Sequence, residues 1–474
     1  QEASSGTGPL RPACLAVQAV HLVGGSREGY LVVGAGGDIE EAVWAPEAAY
    51  RGAMSRNCAI SARVLVVTPD AHLDAAARMM AFALEGTWGD TAYLHGAWSW
   101  RSAYLGWRGW YGPTCYGWTD RVACSIRNHL ELGRVAAGDD QGAQGHVLEA
   151  APAVYYNMNE VFLDHVRQYF DYTADWELMR EALPALKEIV AWEDRRLQPG
   201  NAGLYENSLN TWISDSHWNI RGQCTQASAY MLGAHRFLAS LASRLDPHPD
   251  AWAAKAERIR AAMQRHLWQP RQGVFAEYRD TAGQCLLHPE PELPTLYHAA
   301  EFQAADPLQV YQMLHWADTH LAQERTPGGG RMYWSSNWHP NRGHSYTHST
   351  YELAYAEELN FALTQYLAGR AEEGYALLAA SLCGIYNGPT PGGLACHAYV
   401  DGRQRGNDEF ADAISMWVRV LFEGLFGIGP RCAEGRTELC PQFPSHWPRA
   451  LIYTRHFRYT WQRTPDGQRL DWGA

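Results

Sequence analysis

"GWRGWYGPTCYGWTD", residues 106–120, crowds Trp107, Trp110, Tyr111, Tyr116 and Trp118 into a stretch interrupted by Gly and Pro. Gly and Pro are the poorest residues for a helix interior, so the spacing predicts a loop rather than a regular helix. Loops usually lie at surfaces and aromatic rings usually fill cores. A segment that is both suggests a wall against which something flat is stacked.

Helices surround this loop. "DAHLDAAARMMAFALEG", 70–86, has an N-cap aspartate, an Ala/Leu/Met body and a closing glycine, the start and stop signals of a helix. Periodicity predicts further helices near 119–134, 157–172, 175–196, 221–243, 250–267, 307–322, 350–368, 370–384 and 410–426. Within 221–243, Ala227, Tyr230, Met231, Ala234, Phe237, Leu238 and Leu241 form an apolar stripe. The connections are very unequal. Those at 86–118, 197–220, 268–294, 323–348 and 385–409 are long and rich in Trp, Tyr, His, Asn and Gly, whereas 173–174 and 244–249 are tight. Such a rhythm predicts helical hairpins whose connections are elaborated into a site at one end. After Gly429, alternating apolar and polar residues predict antiparallel strands. The expected architecture is mainly α: an (α/α)6 toroid with small β-sheet segments at both ends. Its expected parts are an irregular or β-rich segment at 1–60, the barrel at 61–429 and strands at 430–474.

Composition narrows the function. The net charge of −12 includes no basic tract able to neutralise phosphates, so no nucleic acid is expected as partner. No run of about 18 apolar residues would span a bilayer. Twenty Trp, 25 Tyr and 20 His are the unusual counts, and aromatic rings pack well on the C–H faces of sugars. The ten cysteines show no zinc spacing, so neither metal nor cofactor is expected. Cys432 and Cys440 are spaced to close a short disulfide loop, with free thiols the equal alternative. The chain starts at Gln1 rather than Met, and a periplasmic or extracellular setting is expected over a cytoplasmic one.

Four segments carry candidate chemistry. In "YGPTCYGWTDRV", Asp120 and Arg121 follow Trp118. They read either as a helix cap beside a solvated cation, or as a carboxylate–guanidinium pair holding sugar hydroxyls. In "YENSLNTWISDSHW", 205–218, Asp215 lies between Trp212 and Trp218, with Glu206 and His217 nearby. Desolvation between indoles would raise its pKa toward that of a general acid, while an Asx turn is the plainer alternative. "HSYTHSTYELAYAEELNFAL", 344–363, offers His344, His348, Glu352, Glu357 and Glu358. Here Ser349-x-x-Glu352 reads as a capping box and the two later glutamates as helix exterior. Last, 387–428 brings Asp401, Asp408, Glu409 and Asp412 to the start of an apolar helix. Acids there suit the helix dipole, yet one of them could activate water.

"GWTDRV", "WISDSHW" and "DEFADAISMWVRVLFEGLFGIGP" followed by "LCPQFPSHWPRALI" resemble segments of the six-hairpin, (α/α)6-barrel glycosidase superfamily over about residues 60–460. More narrowly, "WRSAYLGWRGWYGP", "CTQASAY" and "MWVRVLFEGLFGI" look like a bacterial plant-glycan group with a β-L-arabinofuranosidase family among its neighbours. The chain departs from that pattern in showing about eleven helices instead of twelve, and in lacking a Thr-Trp-Glu type base signature. The resemblance implies an exo-acting, inverting glycoside hydrolase acting on an oligosaccharide or polysaccharide. Asp215 would be its acid and Glu409 its base, with Asp408, Asp401 and Glu352 as alternates for the base. Trp107, Arg108, Trp110, Trp118, Asp120, Arg121, Glu206, Trp212, His217, Trp334 and His348 would hold the sugar. The rival expectations are a six-hairpin lyase, epimerase or phosphorylase, and a non-catalytic glycan-binding protein.

Overall fold

The computed structural model describes residues 42, 44–97, 106–132, 159–198, 200, 202–206, 222–246, 249–337, 351–388, 392–399, 404–405 and 409–473. Two units divide the chain, Gln1–Arg63 and Val64–Ala474. In the first, Pro46–Ser61 forms a helix, α1, opened by Pro46 at its first position. The expectation of irregular or β-rich structure is thus corrected there. "PEAAYRGAMSRNCAIS" is Ala-rich with a proline where the first-turn N–H needs no partner, which favours a helix.

The second unit holds twelve helices among the described residues. In chain order they are α2 Ala71–Gly86, α3 Tyr111–Cys115, α4 Thr119–Leu132, α5 Asn159–Thr173, α6 Trp176–Arg196, α7 Thr225–Leu245, α8 Pro249–His266, α9 Leu293–Glu301, α10 Pro307–His320, α11 Tyr355–Leu367, α12 Ala371–Asn387 and α13 Ala411–Arg419. The odd-numbered members pack in a closed inner ring, each against the next and α13 back against α3. The even-numbered members form the outer layer. Burial follows this division. Every residue of α11 from Tyr355 to Tyr366 is buried, as is all of α13, whereas α2 buries one face around Leu73, Ala77, Met80 and Leu84.

The quoted aromatic stretch therefore holds a helix after all. α3 is one short turn of the inner ring. Pro113 is tolerated because it falls in the first turn, where a missing N–H breaks no bond. Gly112 is required there: a Cβ would come within 2.9 Å of the Ser415 backbone in α13. Within the second unit, α9 is the other helix that sequence spacing missed, its Pro294 in the first turn reading as a break.

Local signals set the other boundaries. Asp70 caps α2 by accepting from the N–H groups of His72 and Leu73 at 2.9 and 3.2 Å. Asp306 and Gln309 form a reciprocal capping box on α10. The box expected at Ser349–Glu352 is corrected: α11 starts at Tyr355, and the Glu352 N–H donates instead to Ser335 Oγ at 3.1 Å. Glu357 and Glu358 are buried rather than on a helix exterior, because α11 lies inside the ring. Val64–Val67 pairs antiparallel with Arg449–Thr454, which continues through Arg458–Thr464 to Gly467–Gly473. Among the described cysteines none is bridged. Cys432 Sγ donates to the Tyr172 carbonyl and Cys440 is a free thiol.

Each outer helix reaches the next inner one through a long connection, and each inner helix returns through a short one, such as 116–118 or 174–175. The long connections therefore all lead into the N-terminal ends of the inner helices. Among the described residues, no helix is long and apolar enough to cross a membrane.

Gly112→Ala should force α3 off α13 and lower stability by about 1–3 kcal/mol, read as a reduced denaturant midpoint. An unchanged midpoint would show that the two helices do not pack this closely.

Candidate active site

Buried carboxylates ring the inner-helix starts. Glu160 begins α5, Glu277 and Glu292 flank the start of α9, Glu352 and Glu357 that of α11, and Asp412 that of α13. The positive end of each helix dipole favours negative charge at these positions. Glu277 does so through hydrogen bonds, its Oε2 accepting from Glu292 N at 2.9 Å and from Thr295 Oγ1 at 2.6 Å.

Beneath this rim lies Arg108, only 4% exposed. Its Nε donates to Asn360 Oδ1 at 2.5 Å, and its Nη2 to Tyr297 OH at 2.7 Å and Glu357 Oε1 at 3.1 Å. Burial opposes its charge, but Tyr297, Glu357 and Asp412 more than offset that and keep it protonated. The Arg108 backbone N–H donates to Asp412 Oδ1 at 3.2 Å. Only glycine fits at 106, since a Cβ would lie 2.3 Å from the same oxygen. Asp412 Oδ2 has no hydrogen-bond partner among the described residues. Burial pushes the Asp412 carboxyl up to about 7, against the pull of Arg108.

The polar contacts continue inward. Asn360 Nδ2 donates to Glu301 Oε2 at 3.3 Å, Arg419 pairs with Glu301, and Arg419 Nε reaches Glu423 Oε2 at 2.8 Å. The Arg419 guanidinium also sits 4.4 Å from the centre of the Tyr111 ring, whose hydroxyl donates to Asp164.

The expected site residues separate into groups. Trp107 is buried edge-on to His95, which is itself edge-on to Phe410. Burial holds His95 neutral, its pKa lowered to about 3. Trp110 is a core residue against His129, His165 and Phe162, with no free ring face. Trp118 is also buried, and Arg121 stacks over it and Trp88 while pairing with Glu85 at 2.6 Å. Asp120 is exposed in the first turn of α4. An Asp120–Arg121 grip on a sugar is therefore not assembled: the arginine is committed to Glu85, and Arg108 is the guanidinium that enters the barrel. Arg108 itself spends these contacts on protein groups.

Glu206 is half-buried, bridged to Gln223. Trp334 is half-buried too, stacked at 4.4 Å on Tyr351 with its Nε1 donating to Glu324. Glu352 is buried against Ser335. Asp215, Trp212, His217 and His348, with Asp401 and Asp408, lie outside the described residues.

Glu409 stands at the rim, half-buried, directly before α13. Its φ is 53°, in the left-handed region that non-glycine residues seldom adopt. Backbone bonds pin it there: its carbonyl accepts from Ala97 N at 3.3 Å, Phe410 N donates to Leu394 O at 2.7 Å, and Ala411 N to His95 O at 3.0 Å. Sequence spacing missed Tyr297, Asn360, Glu301 and Arg419, and gave Glu357 to the surface. α11 is buried on every side, but Glu357, Glu358, Asn360, Thr364 and Gln365 interrupt its apolar residues, so its sequence carries no clear signal of enclosure.

Residues 97–293 match the family model described as the mannosylglycerate hydrolase MGH1-like glycoside hydrolase domain. Among solved structures, a rhamnosidase from Bacillus sp. GL1 aligns over 87% of this chain and 41% of its own at 13% identity and TM-score 0.61. A sialidase aligns over 86% of this chain and 40% of its own at 12% identity and TM-score 0.66. A mannosylglycerate hydrolase from Thermus thermophilus aligns over 72% of this chain and 99% of its own at 11% identity and TM-score 0.54. The chain thus spans about two fifths of the length of the first two, and at these identities the likeness establishes the fold. No significant match is found among curated proteins. These neighbours establish the fold of the six-hairpin glycosidases that the resemblance implied, and residues 97–293, less than half of the chain, are similar to a glycoside hydrolase domain. They do not bear out the narrower arabinofuranosidase likeness.

Two substitutions test the buried cluster. Glu357→Ala removes the partner of a buried cation and should destabilise the protein by about 3–5 kcal/mol, measured by denaturant unfolding; a change below roughly 1 kcal/mol would mean that water reaches Arg108. Burial pushes the Asp412 carboxyl up to about 7, well above the usual aspartate range. The native chain therefore keeps a proton that the unfolded chain has released, and this contribution to stability is complete below the unfolded value and lost as pH rises through about 7. Asp412→Asn should flatten the stability profile across that window, and an unaltered slope would contradict the assignment.

Proposed function

We propose that this protein is an exo-acting glycoside hydrolase that removes a terminal sugar from a plant-type or other complex glycan, with inversion, in a periplasmic or extracellular setting. Asp215 serves as general acid and Glu409 as general base. The observation that carries this reading is Glu409, held in a left-handed backbone conformation at the rim by hydrogen bonds of its own carbonyl and of the two residues that follow it. Such strain costs on the order of 1–3 kcal/mol and persists where the surroundings over-determine it, commonly at functional sites.

Two further features support it. The long connections lead into the helix ends that carry the rim carboxylates. Below the rim, Arg108, Tyr297, Glu357, Asn360 and Arg419 fill the described interior. A buried polar floor of this kind suits removal of a chain end. In the reaction, the acid protonates the glycosidic oxygen as that bond breaks. The base takes a proton from water attacking the opposite face of the sugar, and a separation of roughly 6.5–9.5 Å between the two carboxyl groups leaves room for that water.

The test is hydrolysis of a panel containing rhamnosides, mannosylglycerate, glucosides and arabinofuranosides by the wild type, Asp215→Asn and Glu409→Gln, with the first-formed anomer read by NMR. The wild type should release one inverted monosaccharide, and each variant should be slower by about a hundredfold or more. Undiminished release by Glu409→Gln would move the base elsewhere, a retained anomer would exclude inversion, and no release from any member would overturn the hydrolase reading.

A further inference from the structure

A second cavity, of about 250 Å³, lies on the outside of the barrel between the connection after α6 and the second half of α8. Its lining includes Gln198, Gly203, Lys255, Arg258, Arg265 and His266, and it holds no Asp or Glu. Lys255, Arg258, Ala262 and Arg265 follow one another at helical spacing and so share one face of α8. The chain as a whole carries a net charge of −12, so this basic lining does not reflect a generally basic surface.

The charges in the cavity are unequally satisfied. Lys255 pairs with Asp194, which also accepts from Tyr205 OH at 2.6 Å. Arg258 and Arg265 have no carboxylate partner among the described residues, whereas Arg236 and Arg260 both reach Glu257 nearby. Protonation of His266 is disfavoured by burial and then by the charges of Arg279 and Arg265, a second sign of local positive potential. Gln198 supplies an independent observation. It is 6% exposed, it lines the cavity, and its Nε2 has no acceptor. A buried amide donor left unmatched is unfavourable, and a bound acceptor would relieve it.

We propose that this cavity binds an oxyanion, the carboxylate or phosphate group of a small molecule, between the guanidinium groups of Arg258 and Arg265 and the Gln198 side-chain amide. Planar guanidinium forks match such groups, and an amide N–H adds a neutral donor. The volume is just below the roughly 300 Å³ at which pockets for drug-sized ligands begin, so a single acidic sugar or a smaller anion fits. The site lies at the same end of the barrel as the rim but on its outer helices, and it does not depend on the hydrolase reading. It adjoins the connection through Gly203, where a Cβ would lie 3.1 Å from Ala262, two residues before Tyr205 with its bond to Asp194.

The measurement is isothermal titration of the full chain at neutral pH and low salt with inorganic phosphate, with D-glucuronate and, as a neutral control, with D-glucose. The wild type should bind at least one anion with a Kd of about 1 mM or tighter, and the double variant Arg258→Ala/Arg265→Ala should bind it at least roughly tenfold more weakly. Both arginines are exposed, so the variant should keep the wild-type melting temperature without ligand. Gln198→Leu should weaken binding as well, separating a built site from loose charge attraction. Preference for glucuronate would assign a carboxylated sugar, and preference for phosphate a phosphate group. Binding unaltered in the double variant, glucose bound as well as glucuronate, or no heat from either anion at about 10 mM would overturn the proposal.

Discussion

The barrel depends on one buried cation. A guanidinium enclosed away from water needs an acceptor for its donors, and Arg108 finds them on two inner helices. Tyr297 belongs to α9, while Glu357 and Asn360 belong to α11. Its backbone is tied to α13 through Asp412. The aromatic stretch before α3 is thus fixed to three helices distant in sequence. A ring held by apolar contacts alone could rotate its members with modest loss. Here any rotation strands a buried charge, because each partner is a particular atom on a particular helix. The same logic passes through Glu301 to Arg419 and on to Glu423, so the register of the inner ring is specified at several depths.

That rigidity bears on the rim. The strained residue before α13 sits between α13, held to the cluster through Asp412, and residues 95–97, which meet Phe410 in a single β-bridge at Gly96. A carboxylate on such a support can keep an unfavourable backbone conformation that a looser connection would relax. The ring of acids also has a stable electrostatic setting. Helix dipoles and capping bonds hold these groups in place, so charge gathers at one end of the barrel.

Much of this was legible in the sequence, in proportion to how local the signals were. Asp70 announced α2, and the stripe from Ala227 to Leu241 announced α7. The contrast between long and short connections identified the elaborated end of the hairpins. Two helices were hidden by proline. Pro113 and Pro294 read as breaks, although each falls in a first turn where proline does no harm. The site was less legible. Arg108 lies within the aromatic stretch and Arg121 directly follows it, and which of them turns inward depends on the path of one short helix. Glu357 looked like a surface residue because its neighbours in sequence do not disclose that α11 is enclosed. Spacing along the chain cannot show which helices lie inside a closed ring; that follows only once all of them have been placed.

The four-stranded sheet places a demand on how the chain is made. Val64 pairs with Thr454, about 390 residues later, and α3 finds its neighbour α13 only near the end of the sequence. On a ribosome adding roughly 5–20 residues per second, the first hairpin waits tens of seconds for the strand and helix that complete it. During that interval the faces of α2 and α3 destined for the ring are without their final partners. Hairpins can assemble in order as they emerge, each against the one before, but the circle itself closes last. Its final step joins the earliest and latest parts of the barrel, and a nascent chain halted before Arg449 lacks the strand that seals them together.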